Sequence, residues 1–361
     1  MTQSAQKKDS FFANQLLAWF DKHGRKDLPW QQNKTPYRVW VSEIMLQQTQ
    51  VTSVIAYYQR FMHSFPTIES LAQADEDSVL EHWAGLGYYA RARNLHKTAK
   101  LLHQNMGGQF PDKLEEIMQL PGIGRSTAGA ILSIAFKQNA CILDGNVKRV
   151  LCRFHAIDSW SGEKKTENHL WQLAEQHTPK KRNDDYTQAI MDLGATCCTR
   201  SKPKCESCPL SPRCIAFAEQ RQSELPKSKP KKAIPQKETW LALIQHDQKI
   251  LLEKRPPTGI WGGLYSLPEC DAELSFTEAL SSIENRFKFK LNLDEMHDSV
   301  HHTFSHFKLE MKPLKLSLKQ QKAIQAGEIQ EAPRFHWQEK SQLHTIGLPA
   351  PIAKYLKSLG S

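Results

Sequence analysis

The sequence of 361 residues predicts a mainly α-helical region followed by a separate α+β domain. Apolar residues recur at helical spacing through much of residues 10–220. Residues 225–236, LPKSKPKKAIPQ, then concentrate proline and lysine, which oppose packing and are typical of a linker. Directly after it, WLALIQHDQKILLEKR indicates two β-strands around a polar turn. Apolar residues make up 40% of the chain, enough for a core in each of two or three domains.

The helical region divides into segments with recognisable starts and stops. Thr35 and Pro36 resemble an N-cap with proline at the first helical position, which predicts a helix over YRVWVSEIMLQQ. The segment DSVLEHWAGLG ends on glycine, a common helix stop. Further helices are predicted over FFANQLLAWFDKH, LEEIMQL, RSTAGAILSIAF, NVKRVLCRF and DDYTQAIMDLGATC.

The charge balance favours an anionic partner. The net charge is +10, which favours nucleic acid or another anionic surface, although basicity that only aids solubility stays open. No apolar run reaches the roughly 18–20 residues that span a bilayer, so a membrane protein is excluded. The N-terminal MTQSAQKKDS lacks the pattern of a secretory signal. We therefore expect a cytoplasmic, nucleoid-associated protein whose thiols stay reduced.

Four cysteines have the spacing of a metal site. Cys198, Cys205, Cys208 and Cys214 read C-x6-C-x2-C-x5-C, and short turn-rich stretches separate them. In a reducing compartment such a group predicts metal ligands rather than disulfides. The spacing alone leaves both zinc and an iron–sulfur cluster open. Lysine and arginine in the intervening loops indicate that the site lies against a polyanion.

The turn LPGIG joins two predicted helices. Gly122 and Gly124 permit close approach of a ligand to the backbone, and the helix that follows begins with free N–H groups. This arrangement is typical of a DNA-phosphate contact, which positions DNA without reading its sequence. A plain helix–helix turn without a ligand is the alternative.

Two carboxylates occupy unusual places. Glu43 lies about two turns into a predicted helix among apolar residues, and burial there would raise its pKa toward that of a general acid. Asp144 follows an apolar run and precedes a helix. A surface glutamate and an N-cap or turn aspartate are the alternatives, and the residue pattern alone favours them.

Several long motifs together carry a resemblance to a known family. They are VWVSEIMLQQTQV (39–51), GLGYYARARNL (85–95), LPGIGRSTAGAI (120–131), LDGNVKRVL (143–151) and QAIMDLGATCCTRSKPKC (188–205). With the cysteine spacing, they resemble helix-hairpin-helix DNA glycosylases of the iron–sulfur branch, in particular the adenine-specific ones. The resemblance covers nearly the whole chain.

The resemblance implies a division of the chain into parts. A helical glycosylase region would occupy residues 1–225, with a six-helix barrel module at about 30–136 and an iron–sulfur module from about 1–29 and 137–225. A linker over 226–236 and a Nudix-like domain over 237–361, which recognises 8-oxoguanine, would follow. Cys198, Cys205, Cys208 and Cys214 would hold a 4Fe-4S cluster.

The implied activity is removal of adenine opposite 8-oxoguanine or guanine in duplex DNA during base excision repair. Glu43 matches the family's proton donor, Asp144 the carboxylate that stabilises the sugar cation, and Asn146 an amide that orients these groups. The protein is expected to act as a monomer, with no membrane partner, and to hand its product to an AP endonuclease.

The target base must leave the helix stack, and the resemblance assigns residues to that step. Gln48 matches a wedge into the duplex and Tyr88 a side chain inserted beside the orphaned base. Trp30, Leu46 and Gln188 match positions that line the adenine pocket. For Tyr88 and Trp30, an ordinary core aromatic is the alternative. In the last domain, Ser305 matches the contact to 8-oxoguanine, and simple surface polarity is the alternative for its loop.

Two differences, one from glycosylases with lyase activity and one from Nudix hydrolases, restrict the expected activity. Ser126 stands where related glycosylases with lyase activity carry a lysine that forms a Schiff base. We therefore expect a monofunctional enzyme, with at most weak side activity from Lys148. The segment CDAELSFTEALSSIENRF lacks the arginine and paired glutamates of a Nudix hydrolase. Ser126 and the C-terminal domain oppose a pyrimidine-damage glycosylase/lyase, and the altered Nudix segment opposes a nucleotide pyrophosphatase. The presence of Glu43 and Asp144 opposes a third rival, a non-catalytic iron–sulfur DNA-binding protein.

Overall fold

The computed structural model describes residues 10–229, 234–304, 306–319 and 335–359. Within these ranges the chain forms two compact units. The described residues of 1–74 and 94–231 make the first unit, and those of 75–93 and 232–361 make the second. The mainly helical region and the α+β region predicted from the sequence are both present. No helix in the described part of the chain is long and apolar enough to cross a membrane.

The helices before residue 229 include one in each predicted segment, and α3, α4, α6, α10 and α12 in addition. They are α1 (Phe11–His23), α2 (Pro36–Leu46), α3 (Val51–Ser64), α4 (Ile68–Gln73), α5 (Glu76–Trp83), α6 (Ala90–Met106), α7 (Leu114–Met118), α8 (Arg125–Ala130), α9 (Gly145–Phe154), α10 (Lys164–His177), α11 (Asn183–Thr196) and α12 (Ile215–Ala218).

Helix α2 starts where its sequence predicts. The Thr35 hydroxyl accepts a hydrogen bond from the backbone N–H of Arg38 at 3.3 Å, and Pro36 occupies the first turn, where no N–H partner is needed. Trp40 is fully buried on this helix and packs edge-on against Phe110, with ring centroids 5.2 Å apart. The cap and this packing fix α2 in the core of the first unit.

The turn between α7 and α8 is tight. Gly122 has a φ of +79°, and a Cβ added there would lie 2.8 Å from Cβ of Asn94, so glycine is needed at this position. The Thr98 hydroxyl donates to the carbonyl of Pro121 at 2.9 Å and pins the turn. Helix α8 then continues as a π-helical turn over Ile131–Ala135, which the sequence did not predict.

Helix α11 connects the parts of the first unit that matter most for the site. It packs against α1, α9 and the π-helical turn, and α2 packs against the same turn. The Ser133 hydroxyl lies 3.0 Å from the carbonyl of Asn183 and 2.7 Å from Oγ1 of Thr187. At Gly194 an added Cβ would lie only 2.5 Å from Cβ of Asn146, so α11 and α9 are in close contact. These contacts bring α2 and the start of α9 into one group.

The second unit contains a mixed β-sheet. Its strands are β1 (Gln236–His246), β2 (Lys249–Lys254), β3 (Tyr265–Ser266), β4 (Glu269–Asp271), β5 (Leu291–Met296), β6 (Val300–Thr303), β7 (Lys308–Leu318) and β8 (Phe335–Glu339). The order is β3-β2-β1-β7-β5, with β4 pairing β1, β6 pairing β7 and β8 pairing β2. Only the β1–β7 pair is parallel among the strands described. The two strands predicted around a polar turn are β1 and β2.

Two helices, α13 (Phe276–Phe287) and α14 (Ala350–Ser358), complete the second unit. Successive residues of a strand point to opposite faces of the sheet, and the four central residues 241–244 of β1 are all buried. Leu241 and Leu243 join a core with α14, while Ala242 and Ile244 join a core with α13. The sheet is therefore covered by a helix on each face, which explains why β1 reads as a continuous apolar run.

Candidate active site

Glu43 lies on α2 next to buried apolar residues. Ile44 and Met45 beside it are fully buried, whereas Glu43 keeps a small opening to solvent. Burial raises the pKa of the Glu43 carboxyl to about 8, and repulsion from the nearby Asp144 adds to the shift. No hydrogen-bond donor among the described residues compensates for the lost water. Glu43 is thus a carboxylic acid held in its protonated form near neutral pH, not a free surface glutamate.

Asp144 is the N-cap of α9. Its Oδ1 accepts from the backbone N–H of Val147 at 2.8 Å, and its Oδ2 accepts from Nδ2 of Asn146 at 3.1 Å. Burial raises the pKa of Asp144, while these two donors and the charge of Arg149 act in the opposite direction. Asp144 is therefore an N-cap aspartate, as one of the two hypotheses from the sequence expected. It also lies close enough to Glu43 to repel its ionised form.

The loop that delivers Asp144 is held against α8. The Ser126 hydroxyl accepts from the backbone N–H of Leu143 at 3.1 Å. At Gly129 an added Cβ would lie 2.2 Å from the carbonyl oxygen of Cys141, so this backbone passes directly over the helix. Serine at position 126 has a structural role here: it fixes the residue that precedes Asp144.

Arg149 is a site residue that the sequence analysis did not identify. Its Nη2 donates to Oδ1 of Asn146 at 2.8 Å and to the carbonyl of Gly194 at 2.7 Å. Its Nε donates to the carbonyl of Cys198 at 2.7 Å. One guanidinium therefore joins the amide beside Asp144 to the first of the four spaced cysteines. Its position three residues after Asn146, on the same helix face, is the signal that could have found it.

The four spaced cysteines line one cavity together with Cys197. Arg153, 2% exposed, holds the first of them: its Nη1 lies 3.3 Å from Sγ of Cys198 and 2.7 Å from the carbonyl of Thr199. Its Nε donates to the carbonyl of Leu225 at 2.8 Å. A buried arginine that ends on backbone carbonyls and a sulfur is suited to a site of several thiolates.

The residues expected to line a base pocket differ in their environment. Trp30 is buried and packs edge-on against Tyr58, with centroids 5.6 Å apart. Leu46, the last residue of α2, is half-buried. Gln188 is 5% exposed on α11, and its Nε2 donates to Oδ1 of Asp192 at 2.9 Å. Asp192, a further residue not identified from the sequence, pairs with Arg25 through Nη2 at 2.7 Å.

Gln48 and Tyr88 share an unusual backbone conformation. Their φ angles are +57° and +51°, a left-handed region that side-chain-bearing residues seldom adopt. Gln48 is exposed, and Tyr88 is 55% exposed although it is a large aromatic residue. Within the second unit, Arg91 donates to the carbonyls of Leu86 and Gly87 and lies over the Tyr88 ring at 5.5 Å. Such strain is common where a loop presents a side chain for function.

Ser305 lies outside the described residues. The residues on either side of it form an aromatic cluster within the second unit. The ring of Phe304 lies 4.5 Å from His302, 4.6 Å from Phe307 and 5.1 Å from Trp261. The backbone N–H of Phe304 donates to the carbonyl of Phe307 at 2.9 Å.

The acids of α13 have structural roles. Glu278 completes a capping box with Ser275, whose backbone N–H donates to it at 2.9 Å. Glu284 pairs with Lys290 at 2.7 Å and accepts from the backbone N–H of Leu291. No group of three or more metal-ligating side chains is present among the described residues of this unit. Glu278 and Glu284 are therefore both engaged in contacts at the two ends of α13.

Comparison with known proteins matches two parts of the chain to families. Residues 41–176 match the HhH-GPD superfamily of base excision DNA repair proteins, and residues 239–358 match the NUDIX domain. A solved thermostable thymine-DNA glycosylase, 28% identical, covers 60% of this chain and all of its own, with a TM-score of 0.54. The fold and the site thus define a helix-hairpin-helix glycosylase with a Nudix-like second domain.

The particular family follows from full-length relatives. An adenine DNA glycosylase of Buchnera aphidicola from Schizaphis graminum is 41% identical over 349 residues, 96% of this chain and 98% of the relative. The human adenine DNA glycosylase is 34% identical and covers 96% of this chain and 73% of its own length. The chain belongs to the adenine DNA glycosylase family, enzymes that hydrolyse an N-glycosidic bond.

Replacing Glu43 by glutamine should stabilise the protein in a pH-dependent way. Unfolded Glu43 ionises above about pH 4.5, whereas the folded protein keeps the proton up to about pH 8, so the folded state loses stability as the pH rises between these values. Glutamine stays neutral throughout. We expect Glu43→Gln and wild type to unfold alike near pH 4.5, and the variant to gain about 4 kcal/mol by pH 8, measured by urea unfolding.

The matched control is Glu115→Gln, which changes an exposed glutamate of α7. It reports the background effect of removing one surface charge. The protonated state assigned to Glu43 would be contradicted if Glu43→Gln were no more stable than wild type at pH 8. It would also be contradicted if the variant were stabilised equally at pH 4.5.

Proposed function

We propose that this glycosylase removes adenine mispaired with 8-oxoguanine or guanine in duplex DNA, and that Glu43 and Asp144 carry the reaction. The observation that supports this most directly is the contrast between the two carboxyls. Glu43 lacks hydrogen-bond donors in the described structure and keeps its proton, whereas Asp144 accepts from Val147 and Asn146. Neighbouring acids with opposite environments are suited to separate acid and anion roles.

The chemistry assigned to each residue follows from its protonation. Adenine leaves poorly as an anion, so protonated Glu43 donates a proton to the ring as the bond to deoxyribose breaks. The sugar develops oxocarbenium character, which the Asp144 carboxylate stabilises. Ionised Glu43 then accepts a proton from the attacking water. Asn146, held by Arg149, keeps Asp144 oriented through its amide.

Extraction of the base is assigned to the exposed residues with left-handed backbone. Gln48 would wedge into the duplex and Tyr88 would insert beside the orphaned base, which offsets the cost of unstacking. Trp30, Leu46 and Gln188 would line the pocket for the flipped adenine. The turn at Gly122 and Gly124 would bind backbone phosphate through free N–H groups at the start of α8.

The enzyme is proposed to be monofunctional. Ser126 accepts a hydrogen bond from Leu143 and carries no amine for a Schiff base. Lys148, one turn after Asp144, is paired with Glu167 at 2.6 Å. An ammonium held in an ion pair is a poor nucleophile, so the abasic product should leave with its strand intact and pass to an AP endonuclease.

A 4Fe-4S cluster is the cofactor proposed for the cysteine site. Cys198, Cys205, Cys208 and Cys214 line one cavity, and the buried Arg153 lies against the first of them. Four thiolates can hold either zinc or an iron–sulfur cluster, and the resemblance to the iron–sulfur glycosylases favours the cluster. The cluster would supply structure: it would hold the basic loops of residues 199–213 for DNA binding.

The second domain is proposed to recognise the base opposite adenine. Its α13 acids are engaged structurally, and an aromatic cluster flanks Ser305. A hydroxyl at Ser305 could read the N7–H or the C8 carbonyl that distinguish 8-oxoguanine from guanine. We retain residues 1–225, 226–236 and 237–361 as glycosylase region, linker and recognition domain, and propose a monomer acting on DNA inside the cell.

The reaction is tested on duplexes that carry adenine opposite 8-oxoguanine, guanine or cytosine. We expect abasic sites that become strand breaks only after alkali, fastest opposite 8-oxoguanine. Glu43→Gln should lower the single-turnover rate by a factor of about 10³ or more, because it removes the acid. Ser305→Ala should reduce the preference for 8-oxoguanine over guanine.

Strand breaks without alkali, with efficient borohydride trapping, would contradict the monofunctional assignment. Full activity of Glu43→Gln would contradict the role of the acid. Glu115→Gln provides the matched glutamate control.

The cluster is tested by its composition. We expect about four iron and four sulfide atoms per chain in protein purified without oxygen. Cys205→Ser should lose most of both and weaken DNA binding. Cys270→Ser, which changes a half-buried cysteine outside the spaced group, should retain them. Stoichiometric zinc without sulfide would contradict the cluster.

A further inference from the structure

Asp192 is a fully buried carboxylate on α11 with a dense set of donors. Its Oδ2 accepts from the backbone N–H of Arg25 at 2.8 Å, and its Oδ1 accepts from Nη2 and Nε of Arg25 at 2.7 and 3.1 Å. Oδ1 also accepts from Nε2 of Gln188 at 2.9 Å. A buried carboxylate that accepts from four donors is rigid, so the groups that donate to it are held in place.

This contact determines which way the Gln188 amide faces. A side-chain amide has a donating and an accepting end, and a carboxylate only accepts. Nε2 of Gln188 must therefore face Asp192, and its Oε1 occupies the other end. No donor in the described part of the chain bonds to that oxygen. Gln188 is thus presented as an acceptor, in one orientation.

Gln188 lies on the helix that contacts the reacting residues. Gly194, six residues further along α11, touches Asn146 and accepts a hydrogen bond from Arg149. Six residues of helix rise about 9 Å and turn the side chain about 120° around the axis from Gly194. The proposed function places Gln188, on that part of α11, in the pocket for the flipped adenine.

We infer that Asp192 is a positioning residue that sets base specificity: it locks Gln188 with its oxygen toward the base, so that the site selects a purine bearing an exocyclic amine. This inference rests on the proposed function and extends it. A base with a carbonyl at that position would place two acceptors against each other, and the carboxylate prevents the amide from rotating to relieve them.

The test compares release of adenine and hypoxanthine from otherwise identical duplexes. Hypoxanthine has the same shape but carries oxygen in place of the exocyclic amine. We expect wild type to favour adenine, and Asp192→Ala to lower the ratio of the two single-turnover rates roughly tenfold or more, because the amide becomes free to rotate. Asp192→Asn keeps an acceptor oxygen and should restore most of the ratio.

A double-mutant cycle separates positioning from general stability. Gln188→Leu alone should abolish the preference for adenine over hypoxanthine. Adding Asp192→Ala to that variant should not change the ratio of the two rates any further. A purely structural role would slow both substrates equally and leave the ratio unchanged in either background. Asp21→Ala removes a comparable but exposed pair with Arg182, at 2.6 Å, and should leave the ratio at the wild-type value.

The possible outcomes distinguish failure of this inference from failure of the proposed function on which it rests. Release of no adenine by wild type from any duplex would reject the proposed function. If wild type releases adenine and hypoxanthine at equal rates, only the role of Asp192 is rejected. The same holds if the ratio of the two rates is unchanged in Asp192→Ala. If Asp192→Ala does not fold, Gln188→Leu decides, because a retained ratio in that variant overturns the inference.

Discussion

The hydrogen bonds that Asp144 accepts at the start of α9 are the interaction on which the candidate site depends. They fix the carboxylate at a helix N-terminus, where the positive end of the helix dipole favours a negative charge. Asn146 adds a donor from its side chain, and Arg149 holds Asn146 in turn. Glu43, half-buried on α2, has no comparable donors in the described structure. Burial raises the pKa of both acids, but only Asp144 has these hydrogen-bond donors to favour its ionised form, so Glu43, with a pKa of about 8, is the acid that keeps its proton at neutral pH.

The surrounding helices maintain this difference in hydrogen bonding between Asp144 and Glu43. Ser126 and Gly129 of α8 guide the loop that ends in Asp144, and α11 supports Asn146 from the other side at Gly194. Arg149 extends the same network to the carbonyl of Cys198. The loop with the four cysteines and the start of α9 are thus joined by one guanidinium. Disorder in the cysteine loop would therefore displace Arg149 and, through Asn146, alter the hydrogen bonding of Asp144.

Local patterns in the sequence predicted much of this structure. The Thr35 cap, the turn at Gly122 and the two strands around the polar turn each depend on neighbouring residues, and each is confirmed. The Glu43 environment was only half predictable, since spacing shows apolar neighbours but not what covers them. Asp192 and Arg25 are 167 positions apart, and no local pattern connects them. The π-helical turn was not predicted because its sequence reads as ordinary helix.

The protonation of Glu43 is the central claim, and an NMR titration of ¹³C-labelled glutamate carboxyls tests it directly. Glu43→Gln identifies the signal by its disappearance. The account predicts a midpoint near pH 8 in the wild-type protein, and a lower midpoint in Asp144→Asn because the repulsion is removed. A midpoint near 4.5 in the wild-type protein would show that Glu43 is ionised at neutral pH and would contradict its role as the acid.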